Sequence, residues 1–196
     1  MKLKTIDLTL AAMFVALMAV GANITSFVPF LVVGGVPITL QTFFAILAGL
    51  ILGSRLGTIS LTVYVLVGLV GVPVFARFGA GFSSLLSPTF GFIVSYVIAV
   101  FVVGKIVEKN RSLSGFITAA MVGLVINYVF GTNWMYAAYK LWAAAPEGFT
   151  YQMAWSWMVV PMPKDIILTA LAAILAFRLE KTVLSKGSFK HLKRTA

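Results

Sequence analysis

Six runs of nearly pure hydrocarbon, 7–28, 38–52, 57–71, 89–107, 114–136 and 161–179, dominate this chain. A helix needs about 20 apolar residues to cross the hydrocarbon core of a bilayer, and each run approaches or reaches that length, the second and third being short for it. Gly49, Gly53 and Gly57, near the junction of those two, predict close helix packing there. With 61% hydrophobic residues, 10% charged and a mean hydropathy of +1.04, the chain has far more apolar surface than a soluble domain of 196 residues can bury. The expected fold is therefore an all-α integral membrane protein. It is a single transmembrane domain, 1–196, of six transmembrane helices, with no second domain and no internal repeat.

The charges set an orientation. Net charge is +10, but the bases lie between apolar spans and at the tail rather than over one face, which argues against a nucleic-acid partner. Lys2, Lys4, Arg55, Lys105, Lys109, Arg111, Arg178, Lys181, Lys186, Lys190, Lys193 and Arg194 fall at the termini or at the second and fourth connections. Only Arg77, Lys140 and Lys164 belong to the third and fifth connections, and the first has none. This positive-inside asymmetry predicts a multi-pass protein of the cell membrane with both termini cytoplasmic. Roughly 184–196 forms a basic cytoplasmic tail attracted to anionic lipid. The start, MKLK followed by an apolar run ending in Val20-Gly21-Ala22, also has the form of a signal peptide, although 23–27 continues directly into a loop.

The three external connections differ from the internal ones. They are 29–37 (PFLVVGGVP), 71–88 within GVPVFARFGAGFSSLLSPTFGF, and 141–163 with Trp142, Phe149, Tyr151, Trp155 and Trp157. They are too apolar for water and, with their glycines and prolines, too irregular for lipid, where unpaired backbone groups are costly. The prediction is that they fold over the helix ends as structured external loops capping an aromatic-walled ligand pocket. The alternative for the tryptophans is an interfacial belt.

Polar residues at depth are costly and usually functional. Asp165, opening the last span, is one of only five acids; it either accepts donors from a ligand or caps its own helix. Lys164 and Arg77 either receive an anionic ligand group or snorkel to headgroups. Asn127 is a ligand partner or an interhelical hydrogen-bonding group. Gln41 and Thr42 also face the pocket in this reading. Zero cysteines and a lone His191 leave no metal-ligand set. No phosphate-binding G-x-x-x-x-G-K-[ST] loop, zinc motif, nucleophile elbow or intramembrane carboxylate pair is present, so the chain is expected to bind rather than catalyse, with no cofactor.

The stretch GLVGVPVFARFGAGFSSLLSPTFGFIVSY resembles the signature of the biotin-specific S components of energy-coupling-factor (ECF) vitamin transporters, the BioY family. Gly71-Val72-Pro73-Val74-Phe75 and Pro88-Thr89-Phe90-Gly91-Phe92 both fit. So do 33–41 (VGGVPITLQ), Tyr128 with Gly131 and Trp134, and the Pro-x-Asp start of the last helix at Pro163-Lys164-Asp165. The similarity covers nearly the whole chain. It implies a biotin-binding substrate-capture subunit that works with a transmembrane scaffold (T) subunit and two ATPase subunits, the ATP hydrolysis being theirs. It also adds Gly35, Tyr128, Phe75, Ser87 and Thr89 to the expected ligand-binding residues. In S components the first helix commonly docks on the scaffold through small residues four apart, which Ala12 and Ala16 match; ordinary packing among the chain's own helices is the alternative. One departure stands out. The family often reads P-G-D-x-x-K at the last helix, whereas this chain has Lys164 in place of glycine and Leu168 in place of lysine. Positions around a helix axis differ by about 100° per residue, so Lys164 does not occupy the missing lysine's place.

The expected function is high-affinity biotin capture for an ECF-type ABC importer. Competing readings are an S component for another vitamin, a stand-alone ion-coupled carrier, and an intramembrane enzyme.

Overall fold

The computed structural model describes residues 4–27, 32–33 and 35–184. Its element order is α1 (Thr5–Asn23), a short hairpin of β1 (Val32–Val33) and β2 (Val36–Pro37), α2 (Gln41–Leu69), α3 (Phe90–Lys109), α4 (Leu113–Leu141), α5 (Tyr151–Val159) and α6 (Met162–Leu179). Four of these six helix starts have a local cause. The backbone N–H of Lys4 donates to Asp7 Oδ2 at 2.8 Å, opening α1. The Ser112 and Thr150 hydroxyls accept the amides of Gly115 and Met153 at the starts of α4 and α5. At α6, Pro161 stands at the N-cap and Pro163 just inside it, where a missing N–H costs nothing.

α2 is not one rod. Gly53 interrupts it with φ 77° and ψ −177°, a conformation open to glycine and strained for any other residue. Gln41 Nε2 donates to Tyr64 OH at 2.9 Å, although 23 residues separate them; in a straight helix they would be about 35 Å apart. A Cβ on Gly57 would likewise stand 3.4 Å from the Ala48 carbonyl oxygen. The two arms, 41–52 and 54–69, therefore run back along each other as a helical hairpin.

α3 packs between α2 and α4, α1 lies against α2, and α6 crosses both α4 and α2. Phe14, Met18, Ile46, Leu61, Tyr64, Val100, Val103, Phe116 and Met135 form a core with almost no exposure. Approach is closest at the hairpin turn. A Cβ on Gly104 of α3 would fall 2.1 Å from the Ser54 backbone nitrogen, so glycine is what lets the two backbones meet there.

By length and composition alone α1, α2, α3 and α4 qualify to cross a membrane, although α2 reverses at Gly53, and α5 with α6, bent by 55°, would qualify as a fifth crossing. The six expected runs correspond to α1, the two arms of α2, α3, α4 and α6. The arms, about 18 and about 24 Å long, are shorter than the ~30 Å hydrocarbon core. α1 also ends earlier than expected, at Asn23 rather than residue 28. α5 forms within a segment read as loop. The first external connection is described only in part, residues 28–31 and 34 lying outside the described residues, as does the basic tail beyond Leu184.

Candidate functional site

The residues between α2 and α3 follow no regular element for long. Phe75 and Gly79 form an isolated antiparallel bridge, and short 3-10 turns occupy Ala76–Phe78 and Phe82–Leu86. The Phe75 ring anchors the segment. It packs edge-on against Tyr64 and Phe90, and a Cβ on Gly68 would fall 2.1 Å from its Cζ. The β1–β2 hairpin folds toward the same place, turning through Gly35 at φ 79°. Together these loops and the ends of α2, α3, α4 and α6 line a partly open cavity of about 300 Å³, at the lower end of the range for small-molecule sites. The described parts of the external segments thus form part of its wall.

All eleven residues expected to face the pocket line this cavity: Gly35, Gln41, Thr42, Phe75, Arg77, Ser87, Thr89, Asn127, Tyr128, Lys164 and Asp165. Asp165 is buried, 6% exposed. Tyr128 OH donates to its Oδ2 at 2.8 Å, and Lys164 Nζ faces its Oδ1 at 2.8 Å as an ion pair. No aligned hydrogen-bond donor reaches Oδ1 among the described residues, which leaves acceptor capacity on that oxygen. Asp165 lies inside the first turn, with its backbone N–H bonded to the Pro161 carbonyl, and the N-cap has no side-chain bond. Among the described residues the carboxylate makes no capping hydrogen bond to its own helix; its partners are Tyr128 and Lys164.

Lys164 has a second partner, donating to the Thr39 carbonyl, and so ties α6 to the loop after β2. Asn127 is committed in part. Its Nδ2 donates to Ser95 Oγ at 2.7 Å and to the Phe92 carbonyl at 3.3 Å; the interhelical role and the place in the cavity wall coexist. Gln41 takes part in a relay: Thr39 Oγ1 donates to its Oε1, its Nε2 donates to Tyr64 OH, and Tyr64 OH donates to the Val74 carbonyl. Ser87 Oγ and Thr89 Oγ1 bond each other at 2.9 Å. Arg77 stands at the cavity margin, exposed, with no ion pair among the described residues.

The aromatic wall is only partly the expected one: Phe75 and Tyr128 belong to it as expected, and the aromatics of 141–163 do not. Phe75, Phe90, Phe92, Tyr96 and Tyr128 line the cavity, whereas Trp142, Phe149, Tyr151, Trp155 and Trp157 do not. The reason is the short helix α5. It turns Met158 to the cavity and its Trp157 outward onto Phe149 and Tyr139, with ring centroids 5.3 and 6.1 Å away. Trp142 instead ties two loops together, its Nε1 donating to the Leu86 carbonyl at 2.8 Å. Tyr96, buried and bonded to Thr42 Oγ1 at 3.2 Å, is a cavity residue that sequence reasoning missed; a tyrosine beside Ser95 within an apolar run was the available signal.

Ala12 and Ala16 are exposed, on the side of α1 opposite Ala11, Phe14 and Met18. Among the described residues no other helix buries them.

A family profile described as the BioY family matches residues 1–185. The chain is 49% identical over 178 residues to a protein of Bacillus subtilis (strain 168) named putative biotin transporter BioYB, covering 90% of this chain and 86% of that one. It is 39% identical to the probable biotin transporter BioY of Pyrococcus horikoshii, covering 91% and 98%. It is 35% identical to the biotin transporter BioY of Thermotoga maritima, covering 87% and 94%. Its fold is similar to a crystal structure of the S-component for biotin from an ECF-type ABC transporter. That match has a TM-score of 0.76 at 22% identity and covers 98% of this chain and 100% of the other.

Proposed function

The chain belongs to the BioY family, and on that premise we propose that its cavity binds biotin and that the protein is the substrate-capture (S) component of an ECF-type ABC importer. The observation that carries the ligand assignment is the buried Asp165 carboxylate, held by Tyr128 and Lys164 and keeping an acceptor oxygen for a guest. Biotin's ureido group brings two N–H donors, one of which suits this oxygen, and a carbonyl that suits donors lining the same cavity. Its thioether ring and aliphatic chain suit Phe75, Phe90 and Met158. Its carboxylate suits Arg77 at the margin. Gly35, Gln41, Ser87, Thr89 and Asn127 complete the proposed contact surface.

The protein captures its ligand and does not transform it. Transport is assigned to an assembly with a membrane scaffold subunit and two ATPases, which supply the energy. The exposed Ala12 and Ala16 of α1 support a close helix–helix contact with that scaffold, since small residues let backbones approach in a membrane. Six crossings, with both termini cytoplasmic, complete the proposal; the positive-inside asymmetry supports it.

Isothermal titration of the purified chain with biotin, thiamine and riboflavin tests the ligand. Binding of biotin alone is expected, and preference for either of the other two would overturn the assignment. Vesicles containing this chain without partners should bind biotin yet not accumulate it. Ala12→Trp with Ala16→Trp should leave that binding intact while removing co-purification with the scaffold; co-purification that persists would put the docking face elsewhere.

A further inference from the structure

Arg77 and Phe78 are the two non-glycine residues with positive φ among the described residues, at 60° and 55°, and they are adjacent. Bulky side chains disfavour this left-handed region, and such conformations persist only where the surroundings hold them. What holds them comes from far away in the sequence. Asn23, the last residue of α1, accepts the Phe78 backbone N–H on its Oδ1 at 2.7 Å. Ser26, just beyond, accepts the Arg77 backbone N–H on its Oγ at 3.2 Å. Asn23 is itself fixed, buried at 8% exposure with its Nδ2 donating to the Ala19 carbonyl at 3.1 Å. Both ends of its amide are used, which sets its orientation. A buried amide at the end of an apolar helix is costly unless it is partnered in this way.

Two cations line the cavity, Arg77 and Lys164. Lys164 is engaged by Asp165 and by the Thr39 carbonyl. Arg77 has no ion pair among the described residues and stands at the margin, so the strained turn sets the direction in which its side chain leaves the backbone. We propose that Asn23, assisted by Ser26, is a positioning residue that latches the Arg77–Phe78 turn to the end of α1 and so presents the Arg77 guanidinium to the carboxylate of the bound ligand. This rests on the reading of the cavity as a biotin site.

The test compares biotin with its neutral methyl ester, by titration of the full chain in detergent. Asn23→Ala weakens biotin binding about tenfold while leaving the ester within about twofold, because only the contact to the carboxylate is lost. Arg77→Ala gives the same pattern, and the double variant loses nothing further, since both changes remove one interaction. Ser26→Ala, which leaves the buried amide network of α1 intact, gives the same discrimination at smaller size. Equal losses for both ligands, additive losses in the double variant, or no loss at all would overturn the proposal. Tryptic cleavage after Arg77 in the ligand-free protein reads the latch without any ligand. It is several-fold faster in Asn23→Ala, and an unchanged rate would sink the latch. Absence of biotin binding by the unaltered chain would instead count against the preceding reading, while the tryptic comparison still decides this one.

Discussion

At the Gly53 turn of α2 the polypeptide closes by backbone contact, while at the opposite end of the same hairpin it closes by side chains around a space. The turn leaves no room: a Cβ on Gly104 would meet the Ser54 nitrogen at 2.1 Å, and Glu108 Oε1 accepts the Ser54 N–H at 2.6 Å. The other end joins Gln41 to Tyr64 through polar side chains, opens a cavity of about 300 Å³, and leaves acceptor capacity on Asp165 Oδ1 beside its ion pair with Lys164. Backbone-to-backbone closure is rigid and has nothing to offer a ligand. Closure by side chains keeps hydrogen-bonding capacity for a guest. The two ends should therefore respond to substitution in opposite currencies, stability at the turn and affinity at the cavity.

The largest expected effect is at the turn. Gly104→Val forces side-chain atoms into the Ser54 backbone, which has no flexible end to move aside, and should cost about 3 kcal/mol or more. A steep fall in the thermal midpoint of the detergent-solubilised chain checks this, and whatever fraction stays folded should bind biotin normally. A tolerated valine would mean that α3 and the hairpin turn do not meet as described.

Asp165→Asn should do the converse. It keeps the shape of the side chain and removes the charge that Lys164 and Tyr128 hold, so biotin affinity should fall about a hundredfold, roughly 2.7 kcal/mol, by titration. The thermal midpoint should move little. Unchanged affinity with a lowered midpoint would return Asp165 to a structural role. Tyr128→Phe is a smaller version. It deletes the one hydroxyl that donates to Asp165 Oδ2, leaving the carboxylate charged and paired with Lys164, and should weaken binding about fivefold. A loss as large as that of Asp165→Asn would make the tyrosine a ligand contact in its own right.

The same contrast explains what the sequence made legible. Asp165 and Asn127 could be found because a polar group inside an apolar run is expensive wherever it ends up, so the cost is visible without the fold. The irregular loop segments were legible for the same reason. Tyr96 was not, because its ring belongs in an apolar run, and the partner of its hydroxyl, Thr42, lies 54 residues away. Asn23 was hidden in the same way, its meaning resting on the amide of Phe78, 55 residues later. The glycines near residue 53 announced close packing, but the left-handed φ that reverses α2 is set by what stands opposite it, Gly104 and Glu108 of α3. The tryptophans of 141–163 left pocket wall and interfacial belt both open, because aromatic content says nothing of direction. α5 orients them, and its nine residues carry too little periodicity to be seen beforehand.

Glu108 offers the finest test of the separation. Its carboxylate is buried, accepts the Ser54 N–H at the start of the second arm, and lies 3.5 Å from the mostly exposed Lys105. A carboxylate at a helix start is favoured by free N–H groups and by the positive end of the helix dipole. Glu108→Gln keeps an oxygen able to accept the same bond and gives up only the charge, so the expected cost is about 0.5 kcal/mol, read as a small drop in thermal midpoint. Glu108→Ala should cost more, because it removes the acceptor of the Ser54 N–H altogether. In neither variant should biotin affinity change, since the backbone contact of Gly104 with Ser54 still sets the turn. If Glu108→Gln shifts affinity as much as Tyr128→Phe does, the turn and the cavity are one coupled unit, and the division of labour between the two ends of the hairpin fails.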